Sequence, residues 1–228
     1  MTLKSREHQK GIMSSIDKLR SFLLGLGTLV EIPIEIDGHA LKNKLNEQSR
    51  NWTSSEPDGI YRSRATIALV SRTGEEFEPE AIASLSKYNA AHKTNYVEED
   101  FKTPTPFFKN TPELWEPLKL LSEHFVRTRI VALGEGGYFP PHRDGYLPQD
   151  RYVRLLSIIG SDATADSVVF ILDGQIRNLK QGQLYYFDSR LKHSCFSFQP
   201  NVYLLIASME VNAISVGTVL SYFSRGNG

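Results

Sequence analysis

The sequence predicts a mainly β chain, a jelly roll or closed barrel with helices packed outside it. Three observations carry this. From Phe125 onward, eight short apolar segments follow one another, separated by turn signals. Two of the turns, Asp173-Gly174 and Gln199-Pro200-Asn201, are tight enough to join neighbouring antiparallel strands. Finally, His142 and Asp144 stand two residues apart, on one side of an extended segment. Their chemical complement, His193, comes far downstream and needs a strand that folds back beside the first, which a barrel or jelly roll supplies.

The elements follow in order. Residues 1–13 are polar and expected to be frayed. Ser14 to Leu26 has a capping serine and Ile16, Leu19, Leu23 and Leu26 on one face, which predicts a helix. Thr28 to Ile36 alternates as a strand, and Pro33 assigns it to a sheet edge, because proline cannot donate to a central ladder. Asp37-Gly38 opens a short helix to Leu45. Ala65 to Ser71 is a short apolar strand, and Pro79 to Tyr88 a weak helix. Residues 96–111, with Pro104 and Pro106, read as a loop. Thr111-Pro112 is a good helix start, and the helix is expected to reach about His124, kinked or restarted at Pro117.

The eight segments of the β region are Phe125–Leu133, the His142 strand, Tyr152–Ile159, Ser167–Leu172, Gln175–Leu179, Gln183–Phe187, Ser194–Phe198 and Val202–Ser208. They define a core over 125–210. No composition shift divides the chain, so residues 1–228 are expected to form a single domain.

Bulk composition excludes several classes of function. The 26 basic and 26 acidic residues balance, so neither a nucleic-acid surface nor an acidic-lipid surface is expected. No apolar run is long enough to span a membrane. Cys195 is the sole cysteine, which leaves no internal disulfide and points to a reducing, cytoplasmic compartment.

The chemistry sits in Phe-Pro-Pro-His142-Arg-Asp144-Gly and Phe-Asp-Ser-Arg-Leu-Lys-His193-Ser. Two imidazoles and one carboxylate are the ligand set of a non-haem Fe(II) centre, with the remaining positions open to substrates and O2. His-Arg-Asp also opens a protein-kinase catalytic loop, but Gln149 stands where that loop has asparagine, and no glycine loop or Asp-Phe-Gly accompanies it. The plainer alternative is a surface His and Asp with an unrelated His193.

The stretch Leu133-Gly-Glu-Gly-Gly-Tyr-Phe-Pro-Pro-His142-Arg-Asp144 resembles the first metal strand of Fe(II)- and 2-oxoglutarate-dependent oxygenases, and more narrowly their aspartyl/asparaginyl β-hydroxylase-like branch. Arg154-Leu155-Leu156 is similar to that branch's Arg-Leu-His strand. Gly182 to Asp188 followed by His193 is similar to its second metal strand. The likeness spans roughly 125–210, and three positions depart from it: Leu156 replaces the histidine, Ser189 is displaced by one place, and Tyr203 stands where a cosubstrate arginine often occurs.

The resemblance implies a double-stranded β-helix of cupin-like type with flanking N-terminal helices. It also implies a 2-oxoglutarate-dependent dioxygenase. Such an enzyme hydroxylates an unactivated C–H bond of an amino acid, peptide side chain or related small molecule and releases succinate and CO2. Its cofactors are Fe(II), 2-oxoglutarate and O2.

The implied metal ligands are His142, Asp144 and His193. Arg154, a guanidinium in an apolar strand, needs a carboxylate partner, either the cosubstrate or an internal Asp or Glu. Ser194 and Tyr203 are further cosubstrate contacts, and Arg129, Arg64 and Tyr138 candidates for the substrate. Two alternatives stay open: a cupin-like metal-binding protein without oxygenase activity, and a metal-dependent isomerase or dioxygenase that does not use 2-oxoglutarate.

Overall fold

A computed structural model of the chain describes residues 21–23, 25–49, 52–54, 64–144, 151–159 and 168–225. Twelve strands are formed among them: β1 (Leu29–Glu35), β2 (Thr53–Ser54), β3 (Arg64–Ser71), β4 (Thr103–Pro104), β5 (Phe125–Leu133), β6 (Tyr138–His142), β7 (Tyr152–Ile159), β8 (Val168–Leu172), β9 (Gln175–Arg177), β10 (Gln183–Phe187), β11 (His193–Ser197) and β12 (Val202–Glu210).

The strand order establishes the fold. One sheet runs β1-β10-β7-β12-β5-β3-β2 with β4 beside β3, and the second runs β6-β11-β8-β9. Counted from β5, the first, eighth, third and sixth strands are neighbours in one sheet. The second, seventh, fourth and fifth are neighbours in the other. The chain therefore passes back and forth between two antiparallel sheets, as a jelly roll requires. The fold is a mainly β, cupin-like double-stranded β-helix. β1, β3 and the short strands extend its larger sheet on both sides. β1 is an edge strand, which accommodates Pro33.

Period-two alternation explains the two larger apolar cores. On one face of the larger sheet, Val153, Leu155, Leu184, Tyr186, Tyr203, Leu205, Ala207 and Met209 pack under the helices. Those helices are Gly38–Gln48, with Leu41 and Leu45 inward, Pro112–Ser122, with Leu114, Leu118 and Leu121 inward, and Ala213–Arg225, with Val216 and Val219 inward. The alternate residues, Val131, Leu133, Leu156, Ile158, Tyr185, Phe187, Val202 and Leu204, face into the roll against Val168, Phe170, Leu172 and Cys195.

Several connections have clear local causes. Asp173 and Gly174 both take positive φ, 52° and 75°, the backbone of the two-residue hairpin that their sequence signals. Gly182 has φ 77°, and a Cβ there would lie 2.5 Å from the Ile36 carbonyl oxygen, so no larger residue fits without a shift. That contact ties the end of β1 to the start of β10 through the Ile36 N–H to Gly182 O hydrogen bond.

Some expectations are revised. The helix Pro112–Ser122 runs through Pro117 unbroken. An interior proline costs about 3 kcal/mol, and burial of three leucines offsets it. The weak helix expected over 79–88 is two pieces, Pro79–Ile82 and Leu85–His92, separated by extended residues at Ala83 and Ser84. The loop 96–111 contains a 3-10 turn at Glu98–Asp100, β4, and the helical turn Pro106–Lys109. The helix Ala213–Arg225 was not expected. Of the helix expected over 14–26, residues 14–20 lie outside the described residues, and residues 21–23 are helical. Among the described residues, no helix is long and apolar enough to cross a membrane.

Candidate metal centre

Inside the roll, four strands change character along their length. β5 runs from Leu133 and Val131 to Arg129, and β7 from Ile158 and Leu156 to Arg154. β12 runs from Val202 and Leu204 to Ser208, and β11 from Cys195 to His193. These positions share the inward face. One end of the roll is therefore filled with apolar side chains and the other with charged ones. At the charged end lies a cavity of about 390 Å³.

His142 closes β6 and His193 opens β11, and the two are directly paired in the register of the smaller sheet. Their ring centroids are 4.2 Å apart. His142 Nδ1 lies 2.7 Å from the Pro140 carbonyl oxygen, and His193 Nδ1 lies 3.0 Å from that of Leu191. Each carbonyl can only accept, so each ring carries its proton on Nδ1 and leaves Nε2 as a lone-pair donor.

Asp144 follows β6 by two residues. Its backbone N–H donates to the Ser189 oxygen at 2.8 Å, which ties it to the turn before β11. Asp144 Oδ1 is 3.6 Å from His142 Nε2. One ligand atom from each of the three residues lies within 4.8 Å of the others. Two imidazoles of fixed tautomer and one carboxylate oxygen, facing a cavity, suit a divalent first-row metal.

The remaining walls of the cavity are strongly basic. Arg64, Lys87, Arg127, Arg129 and Arg154 line it, against the carboxylates of Glu98 and Asp144. Glu98 bonds both Arg127 and Arg154, with three N···O distances of 3.2–3.3 Å. Burial alone would raise its carboxyl, but Arg154 and then Arg127 bring it down to about 2. Asp144 is likewise held below its ordinary range: burial opposes this, while Arg154 and His193 drive it. Burial pushes the His193 imidazole down.

Arg129 differs from its neighbours. Among the described residues it has no hydrogen bond or ion pair, although it lines the cavity. Burial and the adjacent Arg127 push it down to about 9. A guanidinium so placed calls for an anion.

The candidate residues therefore divide. His142, Asp144, Arg64, Arg129 and Arg154 line the cavity, and His193 faces His142 at its edge. Arg64 lies 4.6 Å from the centre of the Phe139 ring. Arg154 is committed to internal carboxylates. Its Nε donates to Asp144 Oδ2 at 2.8 Å, its terminal nitrogens donate to Glu98, and one of them also donates to Ser208. Of the two carboxylate partners that the sequence allowed, the structure supplies the internal one.

Tyr203 is displaced from its expected role. It lies on the helix-covered face of β12, fully buried, with its hydroxyl 2.7 Å from Asn46 Oδ1 and 3.0 Å from Ser49 Oγ. Ser194 adjoins His193 and so faces the other side of β11, and Tyr138 stacks on Phe196 at 5.8 Å. Neither lines the cavity.

Glu98 and Ser208 belong to the site and were not expected there. Glu98 lies in an acidic run that reads as a solvated turn, and nothing local distinguishes it. Ser208 is the cross-strand partner of Arg154, a relationship visible only once β7 and β12 are paired.

No protein-family model matches this chain, and no curated protein matches it in sequence. Solved structures do match. It is similar to a prolyl-4-hydroxylase from Pseudomonas putida, at 13% identity over 88% of this chain and 99% of that one, with a TM-score of 0.46. It is also similar to KdgF from Halomonas sp., at 13% identity over 40% of this chain and 72% of that one, with a TM-score of 0.29. The DMSP lyase DddQ from Ruegeria pomeroyi is similar at 15% identity over 40% of each chain, with a TM-score of 0.30. The likeness is one of fold, and the assignment of the fold rests on the strand order.

Proposed function

We propose that the chain is an Fe(II)- and 2-oxoglutarate-dependent dioxygenase that hydroxylates a C–H bond of an amino acid, a peptide side chain or a related small molecule. The observation that carries this reading is the His142–Asp144–His193 set at the charged end of the roll, opening into a cavity whose Arg129 is without a partner among the described residues. The motifs around both histidines resemble the aspartyl/asparaginyl β-hydroxylase-like branch, to which we infer that the chain is related.

His142 Nε2, His193 Nε2 and one Asp144 oxygen would hold the iron. Iron with 2-oxoglutarate and O2 supplies the oxidising power for C–H hydroxylation, with succinate and CO2 as co-products. The protein's share is binding and placement. The Pro140 and Leu191 carbonyls keep both imidazoles in the ligating tautomer. The apolar plug of Leu156, Phe170, Phe187 and Cys195 closes the roll behind the site and keeps water from that side.

Arg129 is assigned the distal carboxylate of 2-oxoglutarate, because its planar fork is available and suits bidentate binding. Arg64 and Lys87, which also line the cavity, favour a substrate bearing an acidic group.

The test is an anaerobic titration of the protein with Fe(II) and 2-oxoglutarate, followed by a search for 2-oxoglutarate-dependent succinate release on admission of O2. A visible charge-transfer band on mixing, and succinate formation, are the expected results. Metal binding without either result favours a cupin-like metal protein, or an enzyme that needs no 2-oxoglutarate.

A further inference from the structure

Asp144 offers two oxygens, and the structure treats them differently. Oδ1 is the one 3.6 Å from His142 Nε2. Oδ2 accepts from Arg154 Nε at 2.8 Å. Arg154 is itself held from behind: Glu98 Oε1 and Oε2 receive its two terminal nitrogens at 3.2 and 3.3 Å. The Ser208 hydroxyl, which donates to Glu98 Oε2 at 3.1 Å, also accepts from Arg154. Glu98 Oε1 also accepts from Arg127 Nη1 at 3.2 Å, and Arg127 Nε donates to the Ala81 carbonyl at 3.0 Å. The guanidinium thus sits between two carboxylates, one buried and structural, the other at the mouth of the site.

We infer that Arg154 is a positioning residue: braced by Glu98 and Ser208, it caps Asp144 Oδ2 and turns Oδ1 alone toward the two imidazoles. This rests on the metal-centre reading above and adds to it a role for a residue of the 3-10 turn, Glu98, which lies outside the eight-stranded core. The arrangement has a chemical consequence. A carboxylate with one oxygen engaged elsewhere can give a metal only one ligand atom. It therefore leaves open the positions that a chelating ligand needs. Partners behind a ligating side chain fix its orientation, and their loss costs roughly 10–100-fold in metal affinity.

A merely structural role for the cluster makes a different prediction, and Arg127 separates the two. Arg127 and Arg154 both pair with Glu98, but only Arg154 touches Asp144. The probe is Co(II), added to metal-free full-length protein. Binding is followed by calorimetry and by the visible d–d spectrum, and the melting temperature of each variant is recorded alongside. Arg154→Gln is expected to weaken Co(II) binding by about 10–100-fold and to alter the spectrum, because the carboxylate is free to turn. Arg127→Gln, which leaves Glu98 with one arginine as well, is expected to lower the melting temperature and keep Co(II) affinity within about twofold and the spectrum of the wild type. That contrast is the one a purely structural role does not produce.

Where the glutamine variant does not fold, Arg154→Lys keeps the buried charge opposite Glu98 but loses the fork, and is expected to bind Co(II) about tenfold more weakly. Equal affinity in the wild type and the folded Arg154 variant overturns the inference while leaving the metal centre standing. Equal losses in the Arg127 and Arg154 variants overturn it too. Wild-type protein that takes up no Co(II) overturns the metal reading itself.

Discussion

His142 and His193 face one another as a directly paired couple of β6 and β11, with their rings 4.2 Å apart and each Nδ1 turned to a backbone carbonyl. A cross-strand pair is the closest placement that a sheet gives to two residues distant in sequence. The pairing itself, with the neighbouring Asp144, makes the site.

The first prediction follows from that pairing. His142→Ala and His193→Ala each leave two ligands, too few to hold iron firmly. Both variants are expected to lose stoichiometric Fe(II), measured by metal analysis after anaerobic gel filtration. Near-normal iron content or turnover in either would move the metal elsewhere.

Arg129→Gln is expected to raise the 2-oxoglutarate requirement by roughly tenfold to a hundredfold, since a hydrogen bond to a charged group contributes about 1.5–3 kcal/mol. Arg129→Lys should recover part of this, keeping the charge without the fork. An unchanged apparent affinity in the glutamine variant would remove Arg129 from cosubstrate binding.

Tyr203→Phe serves as the counterpart. The Tyr203 hydroxyl bonds Asn46 and Ser49 in the helix-covered core. Its loss should cost about 1 kcal/mol of stability and leave 2-oxoglutarate affinity as it was. Denaturant unfolding and a saturation curve measure the two. A selective loss of cosubstrate affinity would restore the role that its sequence position suggested.

Glu98 carries an acid-stability prediction. Its folded carboxyl is at about 2, below the ordinary 4.5, because Arg154 and Arg127 outweigh the effect of burial. A carboxyl depressed on folding stabilises fully above its unfolded value. The contribution falls away as pH drops from about 4.5 and is gone below about 2. It is on the order of 3 kcal/mol. Glu98→Gln should flatten this part of the stability–pH curve and destabilise the protein at neutral pH by about 3–5 kcal/mol, since it leaves two arginines with a neutral partner. A variant as stable as wild type at pH 7 would contradict the buried cluster.

Cys195 should be inert. It packs inside the roll, and burial pushes its thiol up to about 12. A thiol reagent at neutral pH is expected to leave it unmodified in the native protein and to label it completely in denaturant, read by intact mass. Rapid labelling of the native protein would show that this end of the roll opens.

Much of this protein was legible in its sequence. The eight β segments lie close to where alternation and turns put them, because the strands of the larger sheet bury one face under helices and the other inside the roll, and the smaller sheet packs its inner face against them. Asp173-Gly174 needed only its own backbone preference to make a hairpin. The helix Ala213–Arg225 also carries local signals: Asn212 caps it, and Val216, Val219, Leu220 and Phe223 keep helical spacing. The His-x-Asp spacing and His193 announced a ligand set, since ligand chemistry belongs to the residue types themselves.

What only the tertiary structure decided is who pairs with whom. Charged groups have no sequence period, and their partners are chosen by proximity in space. Arg154 and Arg129 look alike in the sequence, each a guanidinium in an apolar strand. The 3-10 turn that brings Glu98 against Ser208 and Arg154 gives the first a counter-ion besides Asp144 and leaves the second open to the cavity. Tyr203 lies on the helix-covered face and not in the cavity for a related reason. A strand shows which residues share a face, but only the stacking of sheet and helices shows which face is the inside of the roll.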